Sequence, residues 1–191
     1  SAPAGAAVAL PVTPLAPGAR LAFGSLASPL QSLAIDNVFL RATAGTIDLK
    51  AQGDIALTGT TTLATPSYSQ SFGDAADAVT VSAGGGTVSL LSKSGNIDLN
   101  ASSKIAIGGA TGKGGTLKLL ASQGAVNLAG TIDATAPGKG ANFILDSGLS
   151  SFDFASFVQN AGTDFSGNVA IRTGAGDLSL NAGQIIKLAS L

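Results

Sequence analysis

The stretch Thr87–Ala101 repeats itself as Thr116–Gly130 without a gap. Thr87 falls on Thr116, Leu90 on Leu119, Gly95 on Gly124 and Leu99 on Leu128, so every apolar position is matched. An internal repeat of this size is the signature of a solenoid, and no other feature narrows the fold as sharply. Downstream, Gly167–Ala182 matches Gly86–Ala101. Upstream, Asn37–Ala51 aligns with Thr87–Ala101, setting Gly45 on Gly95 and Leu49 on Leu99. Between them the unit near Asn142–Ser166 is degenerate, with Phe143 and Leu145 at the first-strand positions.

Each unit contains three short stretches of the form apolar–x–apolar. Side chains two apart share one face of a strand. Strands this short are not stable alone, but coil stacked on coil they form parallel sheets around an apolar interior. Parallel strands otherwise need helical crossovers, and nothing between these stretches has a helical period. The expected fold is therefore an all-β parallel β-helix with three short strands per coil. The expected inward set is Val38/Leu40, Ile47/Leu49, Ile55/Leu57, Val88/Leu90, Ile97/Leu99, Ile105/Ile107, Leu117/Leu119, Val126/Leu128, Val169/Ile171, Leu178/Leu180 and Ile186/Leu188. Gly45, Gly95, Gly124 and Gly176 recur between first and second strands, where a sharp corner would use the positive φ open to glycine.

Two regions divide the chain. Residues 1–36 read as an Ala/Pro-rich N-terminal arm, with Pro3, Pro11, Pro14 and Pro17, followed by Leu21–Ile35 as a short helix or strand capping the first coil. Residues 37–191 read as β-helix repeats with insertions near 59–85 and 147–167. The first insertion is expected to be a partial coil plus a loop around Pro66–Asp77. The second carries Phe152, Phe154, Phe157 and Phe165, half of the chain's 8 Phe. These are expected to pack against the body, the alternative being a projecting aromatic loop.

Composition removes several functions. With no Cys and no His, thiol, disulfide and imidazole chemistry are excluded. Net charge of −1 argues against a nucleic-acid footprint. Charged residues make up 11%, under half the usual share, so the surface must be Ser, Thr, Asn and Gly. All 11 acids are Asp, and a helical protein would not forgo Glu. The chain has no Met, which points to a fragment or a processed chain. Ser1–Leu10 lacks the basic start of a signal peptide.

Candidate sites read mostly as surface. Gly112-Lys113-Gly114 and Gly138-Lys139-Gly140 lack the spacing and following helix of a phosphate loop, and are expected to be solvated corner turns. Asp48 and Asp98, with Asn127 and Ser179 at the same repeat position, alternate with inward residues and are expected to point outward as solubilising groups rather than to bind calcium. Asp146, Asp153, Asp164 and Arg172 are the one acid–base cluster that a carbohydrate-active enzyme could use. No catalytic, cofactor or metal residue is assigned, and the chain is not expected to be an enzyme. At the far end, Ile185, Ile186, Leu188 and Leu191 form an uncapped apolar terminus, expected to favour end-to-end association.

The phrases Gly-Thr-Ile-Asp-Leu (45–49), Gly-Asn-Ile-Asp-Leu (95–99) and Gly-Asp-Leu-Ser-Leu (176–180) resemble the repeats of filamentous-haemagglutinin-type large exoproteins, as do Leu49–Leu57 and Leu119–Leu128. That resemblance covers about Asn37–Leu191. It implies a right-handed β-helix secreted by Gram-negative bacteria through an outer-membrane partner (two-partner secretion), acting as an adhesin, a biofilm factor or a toxin-bearing shaft. The Asn-Pro-Asn motif of the family's secretion domain is absent, so the resemblance is to shaft. Implied partners are host or bacterial surface receptors or glycans and the secretion partner. The implied location is secreted or cell surface, and an alternative role is a self-assembling extracellular filament subunit.

Overall fold

A computed structural model describes residues 17–28, 30–74, 77–148, 152–153, 157, 165–174 and 178–179. The protein is all-β. The chain runs through β1 (Arg20–Phe23), β2 (Leu33–Asp36) and β3 (Phe39–Arg41), then β4 (Thr46–Ala51), β5 (Ile55–Thr58) and β6 (Thr62–Ala64). An excursion follows, β7 (Tyr68–Phe72) and β8 (Val79–Ala83). Next come β9 (Thr87–Ser92), β10 (Ile97–Leu99) and β11 (Lys104–Ala106), then β12 (Thr116–Ala121), β13 (Val126–Leu128) and β14 (Thr131–Asp133). The last described strands are β15 (Asn142–Ser147), β16 (Phe152–Asp153), β17 (Val169–Thr173) and β18 (Leu178–Ser179).

Pairing sorts them into a six-stranded sheet β1-β4-β9-β12-β15-β17, two four-stranded sheets, β13-β10-β5-β2 and β14-β11-β6-β3, and a pair β16-β18, all parallel. The β7–β8 pair is antiparallel. The ladder continues through the corners: Thr87 N donates to Gly45 O at 2.8 Å, Thr116 N to Gly86 O at 2.9 Å and Asn142 N to Gly115 O at 2.9 Å.

Period-two alternation makes the interior. Ile47, Val88, Leu117 and Phe143 occupy one row of the long sheet, and Leu49, Leu90, Leu119 and Leu145 a second. The second sheet contributes Ile55, Ile97 and Val126, and the third Leu63, Ile105 and Ile132. All of these are buried. Burial of each such side chain is worth ~1.5–3 kcal/mol, against ~0–1 kcal/mol for a surface ion pair, so the interior holds the stack together. Within the expected inward set, Leu40, Leu128, Val169 and Ile171 are half-buried against this core. Leu180, Ile186 and Leu188 lie outside the described residues, as do Ile185 and Leu191.

The repeat phase of the first unit differs from the sequence alignment. Ile47 pairs with Val88 and Leu49 with Leu90, so β4 is a counterpart of β9, not of β10. Ile55 and Leu57 are the partners of Ile97 and Leu99. Leu40 pairs with Leu63 in the third sheet. Val38, expected inside, is 38% exposed. Of the two alternatives for Leu21–Ile35, helix or strand over the first coil, the structure has strand, β1 and β2. Leu21 and Phe23 pair with Ile47 and Leu49, and Leu33 and Ile35 with Ile55 and Leu57, so this segment is itself a pass of the stack. Among the described residues the in-register stack is already present at Arg20, ahead of Asn37, because these apolar pairs extend the rows below them.

Glycine at the corners also has a different cause. Gly95 and Gly124 are not among the positive-φ glycines. A Cβ on Gly124 would stand 1.9 Å from the Gly95 carbonyl oxygen, and one on Gly95 would stand 2.4 Å from the Gly53 carbonyl carbon. Close approach of stacked backbones excludes a side chain there. Gly45 belongs to a second such column: a Cβ on Gly86 would lie 2.0 Å from Gly45 O, and one on Gly115 would lie 2.2 Å from Gly86 O. Gly176 lies outside the described residues.

Candidate functional site

The alternation that sends Ile47 and Leu49 inward sends Thr46, Asp48 and Lys50 to the outer face of the long sheet. Asp48 accepts hydrogen bonds from Lys50 Nζ at 2.6 Å and from Arg20 at 2.7 Å. Burial raises its carboxyl, but the bonds from Lys50 and Arg20 outweigh that, and its pKa lies below the ordinary aspartate value. Its side chain is 9% exposed. Asp48 is thus outward but covered, not the solvated group expected. Nor is it the counterpart of Asp98: Asp48 pairs with Ser89, and Asp98 with Ala56 on another sheet. Asp98 does stand beside Asn127, as the repeat implies, and accepts from its amide at 2.6 Å. Ser179 pairs with Asp153. Among the described residues no group of three or more acids is placed to hold a metal ion.

Of the four candidate enzymatic residues, Asp146 and Arg172 meet. They are partners across β15 and β17 and form an ion pair. The hydrogen bond to Asp146 raises the Arg172 pKa. Asp153 lies in β16, which pairs with β18 and not with the sheet that holds Asp146 and Arg172, and Asp164 lies outside the described residues. Asp133 is held similarly: burial raises its carboxyl, but the bonds from Thr135 and Lys104 outweigh that, and its pKa lies below the ordinary value. The two lysine corners stack on each other, with Gly138 N donating to Gly112 O at 3.0 Å and Gly114 N to Lys139 O at 2.8 Å. Lys113 and Lys139 are exposed.

The strongest candidate for contact with another molecule is the antiparallel hairpin β7–β8. It departs from the corner after β6 in the region read as an insertion. Its register sets Tyr68 opposite Ala83, Gln70 opposite Val81 and Phe72 opposite Val79. Directly opposed residues share a face, so Tyr68, Gln70, Phe72, Val79, Val81 and Ala83 form one side. Ser69, Ser71, Thr80 and Ser82 form the other, where Ser71 and Thr80 hydroxyls bond at 2.8 Å. Phe72, Val79 and Val81 are 51%, 64% and 49% exposed. The signal was present as alternation in Tyr68-Ser-Gln-Ser-Phe72 and Val79-Thr-Val-Ser-Ala83 on either side of Gly73. A two-stranded ribbon with an exposed apolar face and free edges can bind by strand addition: its main chain supplies the hydrogen bonds and its apolar face the specificity.

No family model, no curated protein and no solved structure matches this chain.

Proposed function

We propose that this chain is a segment of right-handed parallel β-helix, three short strands to the coil, serving as the structural and adhesive shaft of a secreted bacterial surface exoprotein. One observation carries the reading: from β1 to β14, the β7–β8 excursion aside, the chain takes its three main sheets in fixed rotation, and each return lands in register on the last. Such a stack lengthens by repetition without changing its cross-section, as a shaft must. The repeat phrases at 45–49, 95–99 and 176–180, which resemble filamentous-haemagglutinin-type exoproteins, support the same reading. Receptors or glycans on host or bacterial surfaces are then its ligands, and an outer-membrane partner its exporter. Its role is binding without catalysis, cofactor or nucleic acid.

Particles coated with the chain test this. The reading expects retention on host-cell or bacterial monolayers above that of an unrelated β-protein coating, with no turnover of the glycans offered. Retention equal to the control overturns it.

A second reading, a filament subunit stacking end to end, is favoured by one feature. β1, β2 and β3 are each the edge strand of a sheet, and Phe23, Leu26, Leu30, Val38 and Phe39 are exposed around them. Electron microscopy separates the two, since filaments lengthen with concentration and shaft segments keep a fixed length.

A further inference from the structure

Among the described residues both outer edges of the β7–β8 ribbon are unpaired, since it forms a two-stranded sheet of its own. Neither strand carries a charge or a proline, the usual devices that keep an edge from pairing. A ribbon of two strands gains stability when further strands join it. We propose that a second copy of this chain docks here, β8 against β8, antiparallel about a two-fold axis through Val81.

The sequence of β8 is complementary to itself in that register. An axis at Val81 sets Val81 against Val81, Val79 against Ala83 and Thr80 against Ser82. Apolar groups thus meet apolar groups on one face, and hydroxyls meet hydroxyls on the other. The two apolar faces then run together across four strands. A two-fold contact has to be self-complementary in this way.

Charge agrees with the same register. The hairpin tip carries Asp74 and Asp77, both exposed. Antiparallel pairing about Val81 brings the Asp77 of one copy across from Gly85 of the other. That is the foot of the hairpin, where Gly85 N donates to Lys113 O at 2.9 Å. Lys113 is exposed and forms no ion pair among the described residues. The axis creates this acid–base approach twice, once at each end of the joined sheet. Pairing through β7 about Gln70 would instead set the Asp74 tip against Pro66, with no cation at that position. The contact is lateral, and does not rest on the shaft reading.

The chain has no cysteine, so single-cysteine variants of the full chain report the register directly. Under oxidation, or with a short bis-maleimide, Val81→Cys is expected to give a covalent dimer by itself. Val79→Cys and Ala83→Cys are expected to cross-link when mixed and not alone. Asp77→Lys should weaken the dimer by about tenfold, as measured by light scattering, and adding Lys113→Asp should restore it. Unchanged far-UV circular dichroism shows that each variant is folded. A wild-type chain that stays monomeric up to millimolar concentration overturns the proposal. So does cross-linking of Gln70→Cys in place of Val81→Cys, or a charge swap that fails to restore the dimer.

Discussion

Gly124 lies directly over Gly95, so closely that a Cβ on Gly124 would come within 1.9 Å of the Gly95 carbonyl oxygen. The atom in the way is backbone rather than the far end of a flexible side chain, and cannot rotate aside. Gly124→Ala should therefore cost about 1–3 kcal/mol, the usual range for forced overpacking. Gly112 offers the contrast. Its φ is +74°, with nothing within 4 Å of its Cβ position. Gly112→Ala should cost about 1–2 kcal/mol through backbone conformation alone. Asn accepts the left-handed region more readily, so Gly112→Asn should recover stability where Gly124→Asn loses more. Urea denaturation of the four variants checks this, and recovery at both positions would count against the stacked-backbone explanation.

The phase of the first pass is testable by side-chain truncation. Leu49 is fully buried in the row of Leu90, and Val38 is 38% exposed. Leu49→Ala should cost about 2–5 kcal/mol. Val38→Ser should stay within roughly 0.5 kcal/mol, as surface changes do. Under the alignment that equates Val38 with Val88, both substitutions would be severe. Comparable urea midpoint shifts for the two would restore that alignment.

That alignment went astray for a physical reason. Every strand here reads apolar–x–apolar, and glycine columns stand at two different corners. Gly45-Thr-Ile-Asp-Leu49 thus resembles Gly95-Asn-Ile-Asp-Leu99 more than it resembles its true counterpart, Gly86-Thr-Val-Ser-Leu90. The distinguishing signal is strand length. Thr46–Ala51, Thr87–Ser92, Thr116–Ala121 and Asn142–Ser147 are all six-residue strands ending in Ala or Ser. Ala51, Ser92, Ala121 and Ser147 are all buried, so a small residue is needed where the chain turns toward the second sheet. The interior and the clean repeat from Thr87 to Ala134 were legible because alternation alone sets their faces. The covered position of Asp48 was not, because its partner Arg20 lies in a pass that the repeat pattern does not identify.

Asp48 also predicts a pH dependence. Its folded pKa lies below the ordinary aspartate value of about 3.9. A group depressed on folding contributes its stabilisation in full above the unfolded pKa and loses it as pH falls through the folded one. Wild-type stability should therefore be flat around neutrality on this account and decline below about pH 4. Asp48→Asn removes the charge-assisted bonds and leaves the Lys50 ammonium, 19% exposed, without its counter-charge. It should cost about 1–3 kcal/mol at pH 7 and flatten the acid slope. Asp133, depressed through Thr135 and Lys104, keeps a shallower decline in the variant. Urea midpoints from pH 7 to pH 2.5 test this, and an undiminished acid slope in Asp48→Asn would show that the titration resides elsewhere.

The aromatic insertion yields the last prediction. Phe143 is fully buried at a first-strand position of the long sheet. Phe157 stacks on it with ring centroids 4.5 Å apart, and Phe165 approaches the same ring at 5.2 Å. Phe157 and Phe165 face each other at 5.6 Å, so the three rings close on one another. Two of the insertion's phenylalanines are thereby drawn onto the core, as expected if they pack rather than project, while Phe154 lies outside the described residues. Removing one ring opens a cavity between the other two, and Phe157→Ala should cost about 3–5 kcal/mol. Phe165 is half-buried, and its truncation should cost less. Phe157→Leu refills much of the volume and should recover part of the loss. Thermal unfolding of the three variants decides between packing and projection. An aromatic loop kept for a partner would leave the midpoint of Phe157→Ala near wild type.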